Sequence, residues 1–521
     1  MVLKVDNPIL CGFNPDPSGI SVNGNHFIVT STFEYFPGIA IYHSRDLVNW
    51  LLMGHVLTRR SQLDLRTCEP SAGVWAPTIR YHKGIFYVVA TTFSCFRPSE
   101  GLRVFPLGFY VRTTNIWDET SWSDPVFFDT NGFDQDLFWD DDGTVYLSHV
   151  RCPVGYFPLS NSLKRFGVYV SKIDLESGSS LSPPVLVKES TTGIAEGPHL
   201  LKRHGYYYLL VAEGGTDDGH HECVFRSSES VYGPYESCPT GPILKSTNKD
   251  GLVHNAGHLD LIEDVENGQI WAVFLGFRHL VKDNLQIPSP LGRETYIVPA
   301  AWDKGWPVIN NGSEVTVRYN NGMEWIEWFQ DASLSKRWYC KHTPLRKFYS
   351  LTEYSGYLTL HGNVYDLDSL EHISALFCKQ QAFSGRFQVQ LEFNPNMNSH
   401  CEAGIVVWYN RYSHASIGIS KKSMVFTRRS VGEALITTDK VIAMHNSSFT
   451  LFIESTLEAY HLGYSSDGKD MIIGEISTHA LVRTPPLGGL FTGVLFGLYS
   501  TGKGEPCLEP AKFSYAKWVS S

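Results

Sequence analysis

Five stretches of the 521-residue chain repeat one pattern, a turn glycine followed by an aromatic and β-branched run: GNHFIVTSTF from Gly24, KGIFYVVATTF from Lys83, DGTVYLSHV from Asp142, HGYYYLLVAEGG from His204 and GQIWAVFLGF from Gly268. With Gly24, Gly84, Gly143, Gly205 and Gly268 as markers, the intervals are 60, 59, 62 and 63 residues. Glycine supplies the positive φ that a tight hairpin needs, and the run behind it has strand chemistry. Three runs are followed by a further strand-like segment, GFYVRTTN at 108–115, FGVYVSKID at 166–174 and CVFRSSES at 223–230. Each unit therefore holds several antiparallel strands. Small sheets repeated at a fixed period predict a β-propeller, here with five blades. The competing explanation, chance regularity in a β-rich chain, requires four near-equal spacings to coincide.

The same register selects candidate functional residues. Eight to ten residues before the successive markers stand Asp16, Trp75, Asp134, Glu196 and His258. The innermost strands of propeller blades face a common axis, so these side chains are expected to ring one cavity. Each has an ordinary structural explanation by itself: a turn aspartate, a core tryptophan, a strand-end charge, a buried histidine. Their shared offset argues for a site. Glu196 lies in TTGIAEGPHL with no basic residue nearby in sequence, which is intelligible if its partners come from other blades. Carboxylates across a sugar-sized cleft are the equipment of glycoside hydrolysis, one protonating the departing oxygen and another activating water or attacking carbon. Apolar neighbours and like charge from Asp16 and Asp134 both raise a carboxyl pKa, which suits an acid.

Composition narrows the partners. The chain is 43% hydrophobic, 13% aromatic and only 18% charged, with a net charge of -10 spread along its length. That disfavours nucleic acid and anionic membrane as partners and favours a neutral or small substrate. MVLKVDNPIL is not a secretory signal and no apolar run of membrane-spanning length follows, so the expectation is a cytoplasmic protein, or a secreted one from which a signal was removed. In that second case the sequons at Asn311 and Asn446 would matter. Ten cysteines without a C-x-x-C pair read as thiols rather than a disulfide framework.

Several stretches taken together are similar to a known family. GFNPDPS, TSTFEYFPGIAIYHSRDLVNW, SAGVWAPTIRYH, GFDQDLFWDDDG, AEGPHLLK, AGHLDLIE and LGRETYIVPAAWDKGWPVI resemble, in order through residues 7–310, the motifs of glycoside hydrolase family 43, the β-xylosidase and α-L-arabinofuranosidase group. FYSLTEYSGYLTL, FNPNMNSHCEAGIVVWYN and FTGVLFGLYS resemble the β-sandwich of its β-xylosidase branch. The resemblance implies Asp16 as general base, Glu196 as general acid and Asp134 as the auxiliary aspartate that orients and tunes the acid. It also implies that Arg293 contacts the sugar and the carboxylates, and that Phe33, Trp75, Thr216 and His258 line one deep subsite. Such enzymes invert configuration, which requires roughly 6.5–9.5 Å between the two working carboxyls for a water to enter. No cofactor is implied as required, although some members hold a divalent ion on the axis, which makes calcium near His258 an optional expectation. A homo-oligomer is a further expectation from resemblance. Two departures stand out. The family's usual Asp-Pro-Ser is DQD at 134–136, where motif alignment and the offset from Gly143 favour Asp134 over Asp136 as the inward residue. LGFRHL replaces the usual segment after the fifth blade's run and is expected to reshape the rim.

Beyond Trp325 the period stops. RFQVQLEF alternates Phe387, Val389, Leu391 and Phe393 with Gln388, Gln390 and Glu392, the mark of a sheet with one wet face. The expected architecture is all-β: a five-bladed propeller at 1–317, a linker at 318–333 and a jelly-roll β-sandwich at 334–521. The resemblance implies that the sandwich supports the propeller and closes one side of the pocket rather than binding sugar itself, and the sequence shows no separate sugar platform. The expected function is an exo-acting inverting β-xylosidase releasing xylose from β-1,4-xylo-oligosaccharides. An α-L-arabinofuranosidase or dual enzyme is the alternative within enzymes. A catalytically inactive carbohydrate-binding protein is the alternative outside them, and loss of any of the three carboxylates would have favoured it.

Overall fold

The marker glycines fold as turns between the first and second strands of successive sheets. All five have positive φ, from 67° to 85°, and at Asn23-Gly24, Lys83-Gly84 and His204-Gly205 both turn residues do, which matches the twist of the flanking strands. The computed structural model describes residues 5–66, 68–96, 103–151, 166–216, 218–246, 253–282, 285–315, 317, 324–421, 423–429, 437–443, 448–482 and 491–521.

Five antiparallel sheets follow one another along the chain, each laid down strand by strand in sequence order. Their first strands are Ser18–Val22, Gly73–His82, Phe133–Trp139, Ala195–Arg203 and His254–Asp264. Each packs on the first strands of the two neighbouring sheets, so the five form a closed ring around an axis. The sheets are the blades of the expected propeller, and all five have at least four strands, including the two for which no second strand was legible in sequence.

The strands are apolar on both faces because each blade is sandwiched between two others. Phe27 and Val29 pack against the second blade while Ile28, between them, packs against the fifth. Tyr208 and Leu210 face the fifth blade, and Leu209 and Val211 the third. Among the described residues, no strand is exchanged between the first and last blades. The ring is latched by the N-terminal segment: Asn7 exchanges side-chain hydrogen bonds with the backbone of Ile297 at 2.7 and 2.9 Å, and the Asn14 amide donates to Arg293 O at 2.9 Å.

The C-terminal unit is two packed sheets of eight and six strands around a single apolar core. Phe387, Val389, Leu391 and Phe393 enter that core as their alternation predicts. One segment differs from expectation. Glu324–Glu327, inside the stretch read as linker, pairs with Ala511–Ser520 and belongs to the larger sheet. Its Trp325 packs on Trp338 and Phe387, a tie that a four-residue edge strand does not announce in sequence.

The sandwich is joined to the propeller by backbone and side chain. Tyr35–Phe36, in the first blade, pairs with Cys340–Lys341, and the Trp408 indole donates to the Tyr35 hydroxyl at 3.0 Å. A mixed apolar cluster of Phe13, Phe33 and Tyr35 with Tyr339, Phe377 and Trp408 fills the seam. No helix among the described residues is long and apolar enough to cross a membrane.

Candidate active site

At one level of the axis the backbone turns left-handed in every blade. Asp16, Ala76, Asp134, Gly197 and His258 have φ of 53°, 41°, 52°, 52° and 55°, at intervals of 60, 58, 63 and 61 residues. In four blades the ladder slips there: between Trp75 and Thr78, Phe133 and Asp136, Glu196 and His199, and Gly257 and Asp260. These are bulges, which break the strict alternation of a strand and re-aim side chains. A left-handed L-residue costs about 1–2 kcal/mol, and four of them at one level, beside Gly197, mark a place where geometry outweighs local comfort.

All eight candidate residues lie on one pocket, with about 350 Å³ of open space including its mouth: Asp16, Phe33, Trp75, Asp134, Glu196, Thr216, His258 and Arg293. The constant offset read from sequence conceals two registers. In the first, third and fifth blades the left-handed residue itself reaches the pocket; in the second and fourth it is the small Ala76 or Gly197, and the residue before it, Trp75 or Glu196, brings the larger group. Gly197 is small for a reason, since a Cβ there would lie 3.1 Å from the His258 ring.

Asp16 is held on both oxygens. Arg293 donates to Oδ1 at 2.7 Å and to Oδ2 at 3.4 Å, and the Ser31 hydroxyl donates to Oδ2 at 2.6 Å. Ser31 in turn accepts from the Ala76 amide at 2.7 Å, which ties the second blade to the first. Asp134 Oδ2 accepts the Gly197 amide at 2.8 Å, tying the third blade to the fourth beside Glu196. Burial and then the Glu196 carboxylate hold the Asp134 carboxyl well above the usual carboxylate range, although the Gly197 amide opposes the shift. Burial pushes His258 down to about 4, so it faces the pocket as a neutral imidazole at neutral pH.

Aromatic rings form the wall. Trp75 is stacked on Phe93 at 3.8 Å between centroids, and its indole donates to Ser71 O at 2.8 Å. Phe33 and Arg293 complete that side, the guanidinium 5.5 Å from the Phe33 ring. The Thr216 hydroxyl is buried and has no hydrogen-bond partner among the described residues.

Sequence reasoning missed Phe133, Ala76 and, most consequentially, Phe491. Phe491 belongs to the sandwich. It stacks on Phe33 at 5.9 Å, meets Trp75 edge-on at 5.2 Å, and its carbonyl accepts from Arg293 at 3.4 Å. Its own amide donates to the Ser71 hydroxyl at 3.0 Å. The available signal was an aromatic closing a Pro/Gly-rich stretch, RTPPLGGL at 483–490, which reads as connector chemistry.

Among the described residues, the one group of His, Cys, Asp or Glu whose donor atoms lie close enough to share an ion is Cys401, Cys507 and Glu509, in the sandwich rather than the pocket. What the pocket presents is a base-like carboxylate clamped by arginine, a pair of carboxyls that resists losing its last proton, and an aromatic wall. That set can pass a proton into and out of a bond to a neutral ring-shaped ligand.

Comparison with known proteins agrees with this chemistry. The sequence profile of glycosyl hydrolases family 43 matches residues 5–307, and that of the β-xylosidase C-terminal concanavalin A-like domain matches 327–519. The chain is 34% identical to a non-reducing end α-L-arabinofuranosidase of Bacteroides ovatus over 98% of this chain and 93% of the relative. It is 33% identical to a xylan 1,3-β-xylosidase of a Vibrio species over 90% of each. The crystal structure of a xylan β-1,4-xylosidase from Bacillus halodurans superposes with a TM-score of 0.87 at 30% identity, covering 99% of this chain and 100% of the other. A family profile over more than half the chain, and full-length relatives above 30% identity, place this protein in glycoside hydrolase family 43, as an inverting glycoside hydrolase.

Proposed function

We propose that the protein is an exo-acting β-xylosidase that removes xylose from the non-reducing end of β-1,4-xylo-oligosaccharides. The observation that supports it most is the meeting of Asp16, Asp134 and Glu196, from three blades, on one pocket walled by Phe33, Trp75 and Phe491. A pocket closed on one side by a second domain admits the end of a chain rather than its middle.

In this reading the terminal sugar lies against the aromatic wall with its anomeric carbon between Asp16 and Glu196. Asp16, oriented by Arg293 and Ser31, takes a proton from a water as the water's oxygen bonds to that carbon. The bond to the leaving oxygen breaks, and Glu196 delivers its proton there. Asp134 sits beside the acid. The Gly197 amide fixes Asp134 beside Glu196, where like charge between the two carboxyls favours retention of a proton by the pair. Arg293 and the Thr216 hydroxyl are placed to hold sugar hydroxyls.

An α-L-arabinofuranosidase, alone or together with xylosidase activity, is the second reading, favoured by the name of the Bacteroides ovatus relative. A proton NMR time course on xylobiose separates the two. The expected result is α-xylose appearing before mutarotation. No release of xylose, with turnover of an α-L-arabinofuranoside, would replace the first reading by the second.

A further inference from the structure

Below the pocket the axis is occupied by charge. Side chains of a strand return to the same side every second residue. Two positions beyond Asp16, Asp134, Gly197 and His258 stand Ser18, Asp136, His199 and Asp260, one from each of four blades. The second blade reaches this layer with the longer side chain of Arg80. Its guanidinium meets Asp136 through Nε at 2.9 Å and Nη2 at 3.0 Å, and Asp260 through Nη1 at 2.8 Å. Nη2 also lies 3.0 Å from His199 Nδ1. Ser18 closes the ring by donating to Asp260 Oδ2 at 2.6 Å.

This arrangement decides whether the axis suits the divalent ion that the family resemblance made optional near His258. It does not. Both carboxylates of the layer already face a fixed positive charge. His199 Nδ1 lies 3.0 Å from Arg80 Nη2 and 3.4 Å from Asp136 Oδ2, so that nitrogen is already engaged within the layer. His258 is left as a neutral imidazole that joins no group of close metal donors among the described residues, and a hard divalent ion prefers several oxygen ligands.

We propose that Arg80 is the protein's own axial cation. It pairs with both Asp136 and Asp260, joins the blades beneath the sugar, and makes both folding and turnover indifferent to divalent metal ions. Arg80 is a positioning residue, since neither it nor its partners Asp136, His199 and Asp260 line the pocket.

The test compares the full-length enzyme, Arg80→Met and Arg80→Lys after exhaustive chelation and after readdition of calcium. Melting temperature is read without substrate, so the outcome does not depend on which glycoside is cleaved. For the wild type, neither Tm nor kcat/KM is expected to change with chelation or calcium. Arg80→Met keeps the length but leaves two buried carboxylates uncompensated, and a fall in Tm of about 5–10 °C is expected, with kcat/KM down about tenfold. Arg80→Lys retains the charge and is expected to fold and to stay metal-indifferent, which keeps the test informative if Arg80→Met is insoluble. A wild-type Tm that drops on chelation and returns with calcium overturns the proposal. So does an Arg80→Met enzyme indistinguishable from wild type, or a calcium-dependent rise in the Tm of Arg80→Lys.

Discussion

Burial and the neighbouring Glu196 carboxylate raise the Asp134 carboxyl, while the Gly197 amide and the Arg293 charge pull it down. The pair therefore loses its last proton at higher pH than isolated carboxyls do, and the alkaline limb of kcat/KM reports that loss. Asp134→Asn removes the like charge, so the limb is expected to move to lower pH; a limb that stays in place counts against the tuning role. Roles of the other two separate by leaving group. Glu196→Gln is expected to lose activity on xylobiose by about 10³-fold or more while sparing substrates whose leaving group needs no proton, and Asp16→Asn to lose both. Equal residual activity of the two variants on an activated aryl xyloside would contradict the assignment. These residues were legible in sequence because their offset from a turn glycine is nearly constant. Arg80 was not, because in SAGVWAPTIRYH it looks like any charge at a strand end.

At the scale of the element, two kinds of left-handed glycine do different things. Gly143 sits in a hairpin turn with open space where a Cβ would go, so Gly143→Ala meets only the conformational penalty. The expectation is a stability loss of about 1 kcal/mol and unchanged kcat/KM. Gly197 sits in a bulge, its amide bonded to Asp134 and its α-carbon under the His258 ring. Gly197→Ala moves the strand that carries Glu196, and kcat is expected to fall about tenfold or more, beyond what its loss of stability explains. Thermal melts and kinetics on both variants check the contrast; equal effects on kcat would refute it. The turn glycines disclosed the blades because a tight hairpin needs positive φ and glycine provides it cheaply. The bulges stayed hidden because Asp16, Ala76, Asp134 and His258 adopt the same conformation without being glycine, under constraint from strands distant in sequence.

At the scale of the whole molecule, the pocket wall belongs to two domains. Phe491→Ala leaves the propeller's own residues in place and opens the wall. The expected result is a rise in KM for xylobiose and a fall in kcat/KM of about 10–100-fold, with the melting temperature little changed. Unaltered kinetics would show that the sandwich is only a prop. The sandwich itself was read from period and alternation, which report how a sheet packs, and its supporting role from family resemblance. A single ring placed 198 residues beyond Arg293 leaves no trace in either pattern. The same long reach sets an order of events during synthesis. Asp16 emerges early, but the arginine that clamps it lies 277 residues later. At ordinary elongation rates the ribosome needs roughly 15–55 s to cover that distance, and further seconds to deliver Phe491. The nascent propeller therefore passes through a long interval with its base unclamped and its ring unlatched, and the enzyme becomes competent only once Phe491 has been made.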